Sequence, residues 1–264
     1  MSHLSVNGLC AGYGKQNILE NISFQLEEGS LMGIIGANGS GKTTLLKAIC
    51  GILPHQGNCT LGNAVLEKLT PRQIAKLVSY IPQRSGISID ISAGDVVLMG
   101  FNPQLGLLEH PTKEMKALAS ETLTLVGLAD KEEMNYLHLS EGQKQLCILA
   151  RTLVSGSMLL LLDEPESALD FRFRNQMLSL LRNWVVTNNR SAVVTLHDPT
   201  LALNFCDKLL ALSDGGLLGI LEPETDSLDK MEQMLCMIYG PVSLQRCCNR
   251  QGKSQIVMLR EESI

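Results

Sequence analysis

No run of apolar residues approaches the ~18 needed to cross a bilayer, which excludes an integral membrane protein. A basic excess is missing too. Twenty-two Lys and Arg stand against 27 Asp and Glu, a net charge of −5. The chain therefore carries no global electrostatic footprint for nucleic acid or an anionic membrane surface. The opening residues, Met1-Ser2-His3-Leu4, show neither a basic n-region nor an apolar h-region, so no signal peptide is expected. Eight cysteines are scattered along the chain without a CxxC pair or a Cys/His spacing typical of zinc. They read as reduced thiols, which excludes a secreted disulfide scaffold. No internal repeat or low-complexity linker interrupts the 264 residues. What is present is a composition able to build a core: 45% apolar and 19% charged residues. That length suits one large α/β domain, or one domain with a small insert.

Short strands are expected at 4–9 and 22–26, flanking Gly12-Tyr13-Gly14. The run LMGII at 31–35 reads as a buried parallel strand. A Gly-rich turn and an apolar-periodic helix over 42–50 follow. Residues 78–81 give another strand, halted at Pro82. Between 92 and 155 strand signals stop, and helices are expected over 112–126 and 141–154. Strand signals resume at 158–162 and 192–196 around a helix over 170–187. A hairpin at 208–221 turns on Asp214-Gly215-Gly216. A helix over 227–238 and two short terminal segments, 242–247 and 255–259, complete the pattern.

The strongest chemical signal is Gly36-Ala37-Asn38-Gly39-Ser40-Gly41-Lys42-Thr43, which fits GxxxxGK[ST] between a strand and a helix. Its glycines let successive N–H groups converge on phosphate oxygens, and the helix N-terminus favours the same charge. Lys42 can reach β- and γ-phosphates, and the Thr43 hydroxyl can meet Mg²⁺. Thr44 follows in the same helix turn. The alternative is a Gly-rich turn before an ordinary helix. Next comes Leu159-Leu160-Leu161-Leu162-Asp163-Glu164-Pro165, an apolar strand ending in two acids. Asp163 suits a Mg²⁺ partner and Glu164 a group that polarises attacking water. The upstream phosphate loop gives this acidic pair its weight. Third, Leu139-Ser140-Glu141-Gly142-Gln143 opens a helix and reads either as a second anion cradle or as a plain N-cap.

In this order the motifs resemble the nucleotide-binding ATPase subunit of ABC transporters, over essentially the whole chain. LSEGQ is similar to the family signature, Tyr13 to its adenine-stacking aromatic and Gln83 to its Q-loop glutamine. Ser167-Ala168-Leu169-Asp170 resembles the D-loop, and His197 the switch histidine. The resemblance implies a P-loop NTPase fold of the α/β class. Its sheet is mostly parallel, with antiparallel N-terminal strands. A helical subdomain inserted over 84–157 carries the signature, and a hairpin extension spans 240–264. It also implies ATP and Mg²⁺ as cofactors, and two copies facing head to tail. The nucleotide would be held by Tyr13, Gly36, Asn38, Gly39, Ser40, Gly41, Lys42, Thr43 and Thr44 of one copy. Ser140, Gly142, Gln143 and Asp170 would belong to the opposite face of that sandwich. Glu164, His197 and Gln83 would be catalytic, and Thr43, Gln83 and Asp163 would hold the metal. Two departures stand out. Glu141 replaces the first glycine of the signature and is expected to point away from phosphate; Glu166 replaces a small residue after DEP.

Val97-Leu98-Met99-Gly100, Asn102-Pro103 and Leu105-Gly106 resemble a segment of importer ATPases for iron–siderophores, haem and cobalamin. The implied partners are transmembrane permease subunits and, through them, an extracytoplasmic solute-binding protein. No nucleic acid is implied, and the implied location is the cytoplasmic face of the cell membrane. Two alternatives stay open: a soluble ATPase uncoupled from transport, such as one serving iron–sulfur cluster assembly, or a catalytically weak dimerising switch. The permease is expected to dock on Gln83 and residues 84–108, where Phe101, Pro103, Leu105, Leu107 and Leu108 suggest an exposed apolar patch.

Overall fold

The computed structural model describes residues 2–83, 86–106, 108–167 and 169–261. Arg84, Ser85 and Leu107 of the expected docking segment and Ala168 of the 167–170 motif lie outside them, as do Met1 and residues 262–264.

The chain opens with β1 (Ser2–Tyr13), β2 (Gln16–Glu27), β3 (Leu31–Gly36) and α1 (Lys42–Ile49). Next come β4 (His55–Leu61), β5 (Ala64–Val65), α2 (Pro71–Leu77) and β6 (Val78–Ile81). The helices α3 (Ala93–Leu98), α4 (Lys113–Leu125) and α5 (Glu141–Leu153) stand between β6 and β7 (Leu159–Asp163). Then α6 (Phe171–Thr187), β8 (Ser191–Thr195), α7 (Pro199–Phe205), β9 (Lys208–Ser213) and β10 (Gly216–Leu221) follow. The described chain ends with α8 (Leu228–Tyr239) and the hairpin β11 (Val242–Cys248) and β12 (Ser254–Arg260).

Six strands form the central sheet in the order β10-β9-β3-β8-β7-β6, parallel from β9 to β6 with β10 antiparallel at one edge. Its interior strands read as continuous apolar runs because both faces are covered. Along β3, Leu31 and Ile35 enter one core while Met32 and Ile34 enter the other. Along β7, Leu160 and Leu162 go one way and Leu159 and Leu161 the other. One core is closed by residues of α3 to α8 and the terminal hairpin; the other by α1, α2 and an antiparallel sheet ordered β2-β1-β4-β5. The α/β class with antiparallel N-terminal strands thus follows from the period-two split of a few apolar strands.

The N-terminal strands run well past the apolar cores at 4–9 and 22–26. Their polar ends sit in an antiparallel ladder in which β1 pairs on both sides, so main-chain bonding extends them regardless of side chain. The sequence reading missed β4, whose first half is His55-Gln56-Gly57-Asn58 and carries no apolar alternation. It also missed α2, although Thr70, Pro71 and Gln73 form a capping box with Pro at the helix start. The 208–221 hairpin turns on Asp214 and Gly215, both at positive φ, with Ser213 paired to Gly216.

Of the expected apolar patch at 100–108, Phe101 is internal, Pro103 and Leu105 are half-buried and Leu108 is exposed. Met99–Phe101 continues α3 as one 3₁₀ turn, and Phe101 is only 3% exposed. Gly100 lies so close to α5 that a Cβ there would meet the Arg151 carbonyl at 2.1 Å. Phe101 belongs to the core built with residues of α3, α4 and α5. Ile87, Ile91 and Leu105 pack partly on the same core, leaving Ile89 and Leu108 exposed, Leu108 at 89%.

Candidate active site

The polar groups gather where adjacent parallel strands end, the place an open α/β sheet offers ligands. β3 runs into the glycine loop. In that loop Gly41 occupies a left-handed conformation (φ 99°), and a Cβ there would meet Leu19 at 2.4 Å, so only glycine fits. At Gly36 a Cβ would meet the Leu212 carbonyl at 2.4 Å and Ser40 Oγ at 2.6 Å. α1 starts from Gly41 with no side-chain cap and no acid in its first turn, so its first N–H groups remain available. Ser40 Oγ is buried without a hydrogen-bond partner among the described residues. Asn38 and Gly39 are exposed, whereas Thr44 is buried in α1. Lys42 curls back, donating from Nζ to the Gly36 carbonyl at 2.9 Å and the Ala37 carbonyl at 3.3 Å. Burial pulls its pKa down, opposed by the carboxylates of Glu164, Asp163 and Glu166.

Asp163, at the end of β7, is the hub. Its Oδ1 accepts from Thr43 Oγ1 and from Thr195 Oγ1, each at 3.0 Å, and its Oδ2 accepts from the Tyr80 hydroxyl at 3.2 Å. Burial, with the Asp163 charge second, raises the Tyr80 phenol's pKa and keeps it a donor. Glu164 follows in a left-handed conformation (φ 48°), uncommon for a non-glycine residue. Its backbone N–H donates to Thr195 Oγ1 at 2.7 Å, which holds that turn. One oxygen of its side chain, Oε2, meets both Gln83 Nε2 and His197 Nε2 at 2.7 Å. Gln83, Glu164 and His197 therefore converge on a single atom, beside the Asp163–Thr43 pair. Thr43 and Asp163 are hard oxygen donors within hydrogen-bond distance of each other, a set that fits Mg²⁺.

Three contributors were not assigned roles from sequence. Tyr80 was hidden inside an apolar strand. Thr195 is a polar residue closing β8 after the apolar run of Ala192, Val193 and Val194. In the sequence Glu166 stands out only as a departure from the family pattern. It is 2% exposed, accepts the His197 N–H at 2.9 Å through Oε1, and its Oε2 has no hydrogen-bond partner among the described residues. Burial raises its pKa.

Tyr13, half exposed, stands apart at the end of β1. It lines a 420 Å³ cleft with Cys10, Asn17, Leu53, Pro54 and His55. Ser140, Gly142 and Gln143 form another group at the start of α5. Ser140 Oγ accepts the Gln143 N–H at 3.3 Å while Gln143 Oε1 accepts the Ser140 N–H at 3.0 Å, a capping box. Gly142 has no room for a Cβ, which would lie 2.7 Å from the Phe173 ring. Asp170 caps α6 by accepting the Phe173 N–H at 2.9 Å, so Phe173 joins the two motifs. Among the described residues no hydrogen bond links this group to the phosphate loop. Glu141 is exposed and paired with Lys144 at 2.8 Å.

Residues 19–167 match the family model described as ABC transporter. The hemin import ATP-binding protein HmuV of Bordetella pertussis is 34% identical over 248 residues, covering 90% of this chain and 92% of that one. A Helicobacter pylori protein named for iron chelatin transport ATP-binding is 34% identical, covering 80% and 84%. The ABC transporter ATP-binding protein YvrA of Bacillus subtilis is 32% identical, and the chain spans 48% of its length. A solved structure of a metal-chelate type ABC transporter in an inward-facing conformation superposes with a TM-score of 0.83 at 26% identity. That match covers 99% of each chain. No described helix is long and apolar enough to cross a membrane.

Proposed function

The chain belongs to the ABC transporter family of ATP-binding proteins, and from that premise we propose that it hydrolyses ATP to power import of a metal chelate through a membrane permease. The cargo class is an iron–siderophore, haem or cobalamin type complex, supported by relatives named for hemin and iron chelatin and by a metal-chelate type structural neighbour. The observation that carries the catalytic part is the meeting of Gln83, Glu164 and His197 on one carboxylate oxygen beside Asp163 and Thr43.

Each residue has a task that follows from its place. The loop N–H groups and Ser40 Oγ bind phosphate, and Lys42 exchanges its two loop carbonyls for the β- and γ-phosphate oxygens. Tyr13 stacks on the base, with its cleft holding the adenosine end. Thr43, Asp163 and Gln83 would hold Mg²⁺, which neutralises charge on the phosphates when bound. Glu164 orients the attacking water and takes its proton. His197 holds the γ-phosphate, and Glu166 positions His197 through its backbone N–H. Ser140, Gly142 and Gln143 face the nucleotide of a second copy. This second cradle explains why the chain carries a phosphate motif that, among the described residues, forms no hydrogen bond to its own loop. Residues 84–157 form the helical subdomain and 240–264 the terminal extension. With Phe101 inside, the permease-facing surface narrows to Gln83 and the exposed Ile89 and Leu108. The protein sits as a peripheral subunit on the cytoplasmic face, with the solute-binding protein reached only through the permease.

The test uses the purified chain. Lys42→Ala should lose binding of a fluorescent ATP analogue. Glu164→Gln should keep binding, lose about 10²–10⁴-fold in hydrolysis, and elute as a dimer when ATP is present. Undiminished turnover in Glu164→Gln sinks the catalytic assignment. Failure of the wild type to co-purify with any membrane subunit favours the uncoupled ATPase reading.

A further inference from the structure

Outside the ATP site, one side-chain cluster brings three different metal-ligating atoms together. β4 begins at His55 and carries Cys59 four residues later, on the same strand face. The 3₁₀ turn Leu66–Lys68 brings Glu67 against both. His55 Nε2 lies 3.0 Å from Glu67 Oε1 and 3.6 Å from Cys59 Sγ, and all three ligand atoms fall within 4.8 Å of one another. The His55 side chain is 8% exposed, that of Glu67 26%, and Cys59 is buried. Sequence spacing did not suggest a metal here, because the third ligand comes from a turn that only the fold brings back.

We propose that His55, Cys59 and Glu67 form a binding site for a first-row transition-metal dication, for which Zn²⁺ is the natural probe. Two of the distances come close to the edges of a tetrahedron. Ordinary Zn–N, Zn–S and Zn–O lengths give edges of about 3.6 Å for N···S and about 3.3 Å for N···O. The observed N···S separation of 3.6 Å matches; the N···O separation of 3.0 Å calls for an outward shift of Glu67 Oε1, which now also accepts the Cys59 N–H at 2.5 Å, and the S···O separation lies within 4.8 Å. The donors are one imidazole, one sulfur and one carboxylate, the mixed and borderline-soft set that suits zinc better than Mg²⁺ or Ca²⁺. Three protein ligands leave a fourth position for water or an exogenous ligand. A 300 Å³ cleft lined by His55, Glu67, Leu53 and Leu66 gives access to it. On binding, the Cys59 S–H bond is replaced by a sulfur–metal bond and its proton leaves to solvent. His55 also lines the cleft that holds Tyr13, so a bound ion would fix a wall shared with the proposed base site.

The test is metal titration of the tag-free, chelator-stripped full chain. It carries Cys247→Ser and Cys248→Ser to remove the two exposed thiols. Zn²⁺ is measured by competition with a chromophoric chelator, and Co²⁺ by its absorption spectrum. One equivalent of metal is expected, with a thiolate-to-cobalt charge-transfer band. His55→Gln and Glu67→Gln should each weaken Zn²⁺ binding at least about tenfold, the loss that even an outer-shell partner can bring. Cys59→Ser should abolish the band. If Cys59→Ser does not fold, loss of the band in folded His55→Gln decides the point. Metal binding that vanishes with Cys247 and Cys248, that persists unchanged in the ligand variants, or that never withstands the competing chelator overturns the proposal. These readouts do not involve ATP hydrolysis, so they succeed or fail independently of the transport reading.

Discussion

Replacing Thr195 by Val tests whether the acidic end of β7 is built as described. Thr195 is fully buried and nearly isosteric with Val, so packing is conserved and only the hydroxyl is lost. That hydroxyl does two things: it donates to Asp163 Oδ1 at 3.0 Å and accepts the Glu164 N–H at 2.7 Å. A hydrogen bond to a charged group contributes about 1.5–3 kcal/mol, and a stranded buried N–H costs about 1–3 kcal/mol. Asp163 keeps Thr43 and Tyr80 as donors, which places the first contribution near the bottom of its range. Thr195→Val should therefore lose about 3 kcal/mol. For a chain of this size that is roughly 6–12 °C in Tm. The same bond holds Glu164 at φ 48°, so turnover should fall more than nucleotide affinity does. Thr195→Ser retains the oxygen and should recover most of both losses. The assays are denaturant or thermal unfolding, steady-state ATPase and a nucleotide-binding titration. A Thr195→Val protein within 0.5 kcal/mol of wild type, the scatter of an ordinary surface substitution, would refute the hub reading.

Glu141→Gly should leave ATPase activity within a few-fold, because the carboxylate is exposed and paired with Lys144; a rise of about 100-fold, or 2.7 kcal/mol off the barrier, would mark Glu141 as inhibitory and revive the weak-switch alternative. Phe101→Ala should destabilise the chain by about 3–5 kcal/mol in equilibrium unfolding, as expected of a core aromatic and not of a docking residue. Glu166 has its folded pKa raised by burial above the ordinary 4.5. Its contribution to stability is therefore complete below that value and is lost as pH rises through the folded pKa. Unfolding midpoints measured against pH should show wild type losing stability over that window relative to Glu166→Gln, and parallel profiles would contradict the burial argument.

The sequence alone determined the parts of this protein that depend on local backbone chemistry. The loop 36–43 needs glycines where the chain turns tightly and a lysine and threonine just after. Those needs leave a fixed pattern along the chain. Strands β3 and β7 were legible because burial on both faces demands unbroken apolar runs. Glu164 was legible as a strand-end acid with the right chemistry, whereas Gln83 and His197 stood out only through their resemblance to family motifs. What the sequence could not decide was which polar residue meets which across the sheet. Asp163 meets Thr43 at a separation of 120 residues, and Glu164 meets Gln83 at 81, through the strand order β3-β8-β7-β6. Tyr80 and Thr195 become part of the site only when that order lays their strands on either side of β7. The helices α3 and α5 decided that Phe101 is core, removing it from the apolar loop read as a contact surface. The same holds for His55, Cys59 and Glu67, whose spacing means nothing until a 3₁₀ turn folds Glu67 back onto β4. Periodicity records which side of an element is apolar. Proximity between elements is set by packing, and only the folded chain carries it.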